Sequence, residues 1–228
     1  MAPEMMVKEA PRTTRKRILI VDDHAVVREG LTRLIGGETD LTVCGQADSV
    51  SEALKQHEAT MPDLSVIDLT LREGQGLDLI RRIKTRDKHA KMLVLSMHDE
   101  SLYAPRALRA GALGFVAKNA PPDAILKAIR QVLAGKVYVS PELGNHFLKG
   151  MVNHNPALRG SPIETLSDRE LEVFEMIGRG LSTREISEML FLSVKTIESH
   201  REHIKNKLGL SNSRELSRHA VLWVQEQA

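Results

Sequence analysis

Residues 18–24, ILIVDDH, decide the fold. Four consecutive large apolar residues, three of them β-branched, suit a strand buried on both faces, the kind found in parallel sheets. The run then ends in two adjacent carboxylates and a histidine. Like charges at a strand end repel, so the position is unfavourable unless a cation sits there.

Four more runs of this kind follow: LTVCGQA (41–47), DLSVID (63–68), MLVLS (92–96) and LGFVAK (113–118), with amphipathic, helix-like stretches between them. Five β-then-α units imply an α/β domain over residues 18–138, a doubly wound, five-stranded parallel sheet covered on both faces. In such sheets the functional crevice lies beyond the carboxyl ends of the strands. Aligning those ends gathers Asp22 and Asp23 from the first strand, Asp68 from the third, Ser96 from the fourth and Lys118 from just past the fifth.

Crowded carboxylates suit a hard divalent ion, Mg²⁺ or Mn²⁺, and Mg²⁺ takes oxygen ligands at roughly 2.0 to 2.1 Å. A metal beside a carboxylate, with an ammonium and a hydroxyl converging on it, suits phosphoryl transfer, where charge spreads over three equatorial oxygens. Asp68 is the central acid and the expected nucleophile. Asp23 is expected to ligate the metal directly and Asp22 mainly through water, while Lys118 and Ser96 bind phosphoryl oxygens. Each member also has a plain reading: an acid closing a strand, a solvated lysine, a serine capping a turn. Their convergence favours the functional one. His24 and the other histidines lack partners at metal-ligand spacing and read as structural or surface residues.

The chain has 228 residues and a formal charge of +2. Residues 159–228 hold ten Lys/Arg against eleven Asp/Glu, so no domain is basic enough to indicate nucleic acid by charge alone. The single cysteine, Cys44, excludes an internal disulfide and a multi-cysteine zinc site and fits a reducing compartment. No apolar run has membrane-spanning length, and the basic start has no apolar segment of a secretory signal. The expectation is a cytoplasmic protein without a membrane partner, residues 1–17 forming a disordered basic tail.

Residues 139–163 lose the strand rhythm and gather Pro, Gly and Asn, which reads as a linker with one short helix around 142–151. Beyond it, capping-box spacings (Ser167 with Glu170, Ser182 with Glu185, Asn212 with Glu215) and Ser193 before VKTI mark four helix starts, an all-α domain over 164–226. STREISEMLFLSVKTIESHREHIKNKLG (182–209) places a short helix, a turn and a longer helix at helix-turn-helix spacing. On the longer helix Val194, Ile197, Ile204 and Leu208 form an apolar stripe, with Lys195, Ser199, Glu202, His203 and Asn206 opposite and Thr196 at the edge. Lys195, Thr196 and Ser199 are the expected base readers. Lys205, Lys207, His200 and Arg201 are expected to touch phosphates or to pack, and Arg201, projecting towards the stripe, suits a buried ion pair. An amphipathic helix with a wet face is the plain alternative.

Residues 18 to about 136 resemble the receiver domain of two-component response regulators. LSDRELEVFEMIGRGLSTREISEMLFLSVKTIESHREHIKNKLGL resembles the LuxR-type helix-turn-helix domain. Together they are similar to the NarL/FixJ class. The resemblance implies a transcription regulator rather than an enzyme, in which Asp68 takes phosphate from a sensor histidine kinase. It implies that Thr70 offers its carbonyl to the metal, that Ser96 supplies the switch hydroxyl and that Phe115 is the aromatic switch. It implies binding of double-stranded promoter DNA as a homodimer when phosphorylated, dimer contact through Val221 and Leu222, and RNA polymerase among the partners.

Leu71 and Arg72 depart from the Met-Pro often found after the acceptor, so a more mobile loop is expected there. Thr70 and His98 occupy positions that tune acyl-phosphate lifetime in the family. Pro105 fits only in the first turn of the fourth helix. Two rivals remain: an aspartate-nucleophile phosphatase of the haloacid-dehalogenase kind, given the D-x-T at Asp68 and Thr70 but without its second aspartate or cap, and a regulator that works without phosphate.

Overall fold

The computed structural model describes residues 15–71, 74–145 and 162–226. The first part alternates strictly: β1 (Lys16–Val21), α1 (Ala25–Gly36), β2 (Leu41–Ala47), α2 (Val50–Thr60), β3 (Leu64–Ile67), α3 (Gly76–Arg86), β4 (Met92–Ser96), α4 (Glu100–Ala110), β5 (Gly114–Ala117) and α5 (Pro122–Leu133). The strands form one sheet in the order β2-β1-β3-β4-β5, and every adjacent pair is parallel. The order reverses beside β1, which places Asp22, Asp23 and Asp68 at the switch point.

β1 begins at Lys16, inside the stretch expected to be tail. Asp63 explains this: its carboxylate accepts from the Arg17 N–H at 2.8 Å and from the Lys16 ammonium at 2.9 Å. Those two bonds tie the basic pair to the sheet. Residues 1–14 lie outside the described residues.

Alternation along each strand feeds two apolar layers. Ile18, Ile20, Val66 and Leu93 pack on one face with Ile35 and Ile129, whereas Leu19, Val21, Ile67 and Val94 pack on the other with Ile80, Ile83 and Ala104. Pro105 lies in the second turn of α4, not the first as expected. Its ring removes the N–H that would reach the carbonyl four residues back. Burial of Tyr103, Ala104 and Ala107 around it holds the helix in place.

Residues 141–145 are helical, and the rest of the expected short helix lies outside the described residues. A 3-10 turn (Pro162–Thr165) then leads into α6 (Asp168–Gly178), α7 (Thr183–Met189), α8 (Val194–Leu208) and α9 (Ser213–Glu226). The expected capping boxes at Ser167/Glu170 and Ser182/Glu185 have both halves. At the last start Asn212 accepts from the Glu215 N–H at 3.0 Å, but the Glu215 carboxylate accepts from the Ser211 N–H, one residue earlier than a capping box requires. Leu171, Phe174, Ile197, Leu216 and Trp223 form the centre of this helical domain. α6 is buried nearly all round, because its remaining face meets the α/β domain.

Candidate functional site

The strand ends bring the expected groups together. Asp22 and Asp68 are 2% and 3% exposed, and Ser96 is fully buried. Lys118, just past β5, holds its ammonium 2.7 Å from both Asp22 Oδ2 and Asp68 Oδ2. Burial pushes the Asp68 carboxyl above its usual value against the opposing pull of Lys118. Burial alone would lower the Lys118 ammonium, yet Asp68 and Asp22 outweigh it and raise it. The Asp22 carboxylate also accepts from the His24 N–H at 2.8 Å, and its main-chain carbonyl accepts from Arg28 at 2.6 Å.

Ser96 accepts the His98 N–H on its hydroxyl at 3.3 Å, and its carbonyl accepts from the Lys118 N–H at 2.9 Å, which aligns the ends of β4 and β5. Phe115 is fully buried on β5, opposite Val94. Arg72 lies outside the described residues, whereas Leu71 is buried. Gly76, unremarked in the sequence, opens α3 against the acceptor: a Cβ there would lie 2.2 Å from the Asp68 carbonyl oxygen.

One oxygen each from Asp22, Asp23 and Asp68 and a ring nitrogen of His24 lie within 4.8 Å of one another. Asp23 Oδ1 is buried without a partner in hydrogen-bonding geometry, although His24 Nδ1 comes within 2.7 Å. A buried carboxylate oxygen so placed fits a cation, and the cluster fits a metal site. His24, expected to be structural or surface, is exposed, and the tight turn after β1 nevertheless carries its ring back to the acids, an adjacency that spacing rules for paired histidines do not register.

On α8, Ile197 and Ile204 are buried as expected, but Val194, the first helical residue, is 43% exposed. Lys195, Ser199, Glu202, His203 and Asn206 are exposed and Thr196 is half-buried. Ser193 caps the helix, accepting the Thr196 N–H at 3.1 Å. Lys207 donates to Glu170 at 2.6 Å and Lys205 lies 2.8 Å from Glu202. Burial lowers His200, and it lowers Arg201, whose charge faces Glu198 and Glu202. Among the described residues Arg201 makes no ion pair within 4 Å, so the expected buried pair is absent. On α9, Leu222 is 52% exposed and Val221 half-buried.

Two family profiles divide the chain: Response regulator receiver domain over residues 18–130, and Bacterial regulatory proteins, luxR family, over 164–220. Oxygen regulatory protein NreC of Staphylococcus aureus (strain bovine RF122 / ET3-1) is 38% identical over 209 residues, which span 90% of this chain and 96% of that protein. The chain belongs to the LuxR-type response regulators of the NarL/FixJ family.

Among solved structures, a LuxR-family response regulator from Aurantimonas sp. SI85-9A1 is 36% identical, with a TM-score of 0.58 over 61% of this chain and all of that one. RcsB from Salmonella enterica serovar Typhimurium, bound to promoter P1flhDC with the phosphomimetic BeF3⁻, is 22% identical and shares the fold, with a TM-score of 0.63 over 91% of this chain and 98% of that one. Response regulators of this type are DNA-binding transcription regulators of two-component systems, not enzymes, so the phosphatase alternative falls. Among the described residues no helix of this response regulator is long and apolar enough to cross a membrane.

Proposed function

We propose that this response regulator takes a phosphoryl group on Asp68 from the phosphohistidine of a sensor kinase and, so modified, binds promoter DNA as a homodimer in the cytoplasm. The observation that carries this is the buried Lys118 ammonium shared by Asp22 and Asp68 beside the orphaned Asp23 oxygen. An Asp68 carboxylate oxygen forms a bond to phosphorus as the P–N bond of phosphohistidine breaks. The imidazole nitrogen leaves with the electron pair and takes up a proton.

Lys118 then faces a phosphoryl oxygen, and the Ser96 hydroxyl turns to another, leaving space for Phe115. Asp23 directly, Asp22 through water, Asp68 itself and the Thr70 carbonyl would hold Mg²⁺ or Mn²⁺. That ion supplies charge neutralisation for the phosphoryl oxygens. The receiver is assigned to 16–138, which takes Lys16 and Arg17 of β1 into the sheet, the linker to 139–163 and the DNA-binding domain to 164–226.

In the DNA-binding domain Lys195, Thr196 and Ser199 read base edges, while His200, Arg201, His203 and Lys205 lie along the phosphate side of α8. Lys207 is a weaker candidate, because Glu170 already holds it. The reading face is exposed while α6 remains packed on the receiver. Activation therefore needs no uncovering of α8, and dimerisation through Val221 and Leu222 of α9 is the step phosphorylation controls. RNA polymerase is the further partner met at a promoter. A shift from about 1:99 to 99:1 takes roughly 5.5 kcal/mol of differential stabilisation, so graded activation is equally accessible.

The test is selection of genomic fragments by the purified protein with and without Mg²⁺ and beryllofluoride. An inverted motif enriched with the mimic supports the reading. Equal enrichment in both conditions removes phosphate control, and no enrichment removes DNA binding.

A further inference from the structure

Asp168, Glu172 and Glu175 are spaced along one face of α6, and all three meet the receiver. Asp168 accepts from Arg106 of α4 at 2.9 Å and from Arg81 of α3. Glu172 Oε2 accepts from Gln75 at 2.6 Å. Glu175 Oε2 lies 3.0 Å from His98 Nδ1 and accepts from the Tyr103 hydroxyl at 3.1 Å. The His98 ring stacks on Tyr103 with centroids 4.4 Å apart. Between Gln75, His98, Tyr103, Asp168 and Glu172 there is a void of only about 10 Å³, so this is a packed interface.

Two of these contacts continue into the phosphorylation crevice. The other ring nitrogen of His98 lies 3.0 Å from the hydroxyl of Thr70, which stands two residues after Asp68 on the acceptor loop. The His98 N–H is donated to Ser96. Gln75 closes the acceptor loop by a bridge to Thr70. Side-chain contacts therefore run from Thr70 of the acceptor loop through His98 to Glu175, with a second link from the same loop through Gln75 to Glu172.

We propose that Glu175 and Glu172 of the DNA-binding domain are positioning residues for phosphorylation of Asp68, acting through His98 and Gln75 to restrain the acceptor loop and slow phosphoryl uptake. This rests on the reading of Asp68 as the acceptor. For Ser96 to turn to a phosphoryl oxygen, its hydroxyl must leave the His98 N–H. Contacts made only in the resting arrangement weigh against the phosphorylated one. The coupling is reciprocal: whatever lifts α6 from the receiver favours the phosphorylated form.

The experiment measures phosphorylation of the full chain by phosphoramidate with Mg²⁺. An Asp68 oxygen bonds to phosphorus as the P–N bond breaks, and the leaving nitrogen takes a proton to depart as ammonia. Glu175→Ala and His98→Ala are each expected to speed uptake about fivefold or more, the lower range of measured coupling between sites. The double variant is expected to be no faster than either single, because both break the same path. Glu175→Gln, which keeps the hydrogen-bonding oxygen, is expected to fall between native and Glu175→Ala, a graded rescue that loosened packing alone does not produce.

Glu172→Ala and Gln75→Ala form an independent second cycle that remains informative if the first pair folds poorly. Native rates throughout, or additive effects in both cycles, overturn the proposal while leaving Asp68 as acceptor. Uptake by Asp68→Asn at the native rate overturns the acceptor reading and the coupling with it.

Discussion

The Lys118 ammonium lies 2.7 Å from Asp68 Oδ2, and its side chain is 9% exposed. Because the same group also serves Asp22, its removal leaves two buried carboxylates uncompensated. Breaking a buried pair by deleting one partner costs about 3–5 kcal/mol, so Lys118→Met is expected to lower stability by that order. A divalent cation should recover part of the loss by entering the acidic cluster. Urea unfolding with and without Mg²⁺ reads both effects, and an unchanged midpoint contradicts the assignment.

Asp68→Asn should act in the opposite direction. The folded-state carboxyl is raised above its ordinary 3.8, so the charged form is the one the fold disfavours. Native stability therefore rises as pH falls through the raised value, and the penalty is absent below 3.8. The variant is expected to have the higher urea midpoint at pH 7, with the gap closing as pH approaches 3.8. A gap that widens on acidification would show that Lys118, not burial, dominates this site.

Asp168 provides the contrary case at the domain interface. Burial raises its carboxyl, but Arg81 and Arg106 hold it below 3.8 on balance. Its contribution is full above 3.8 and is lost as pH falls from there through the depressed folded value. A fluorescence-transfer pair on α5 and α9 is expected to report domain separation in that acid range. Asp168→Asn should already be loosened at pH 7 and show a smaller acid change.

Much of this was legible because strand ends are set by chain order. Once ILIVDD and VID are read as parallel strands of one sheet, Asp22 and Asp68 fall along the same edge of it, and Lys118 follows from LGFVAK; that β1 and β3 are direct neighbours comes from the observed strand order. Capping boxes fixed the starts of α6 and α7 for an equally local reason, a hydroxyl and a carboxylate three residues apart. The domain interface was not legible. Asp168, Glu172 and Glu175 have a helical spacing usual for a solvated face, and nothing local distinguishes a stripe facing water from one facing arginines. Gly76 was missed for a related reason: its need is a close approach to the Asp68 carbonyl, which depends on how α3 returns over β3. The one available signal for the interface was that α6 also carries apolar residues on its other sides, leaving no face for solvent.

Lys195 and Lys207 should separate reading from packing on a single helix. Lys195 is exposed at the start of α8, where a recognition helix enters the major groove. Lys207 is tied at 2.6 Å to Glu170, whose carboxylate also completes the cap of α6. Lys195→Ala is expected to weaken specific DNA binding by about 1–3 kcal/mol if it bonds a base edge. If it meets a phosphate instead, it should reduce the salt slope of binding by about 1. Lys207→Ala is expected to leave that slope unchanged and to lower urea stability by less than about 1 kcal/mol, since the pair is partly exposed. DNA titrations of both variants at several salt concentrations decide it. A slope reduced by Lys207→Ala and untouched by Lys195→Ala would reverse which end of α8 faces DNA.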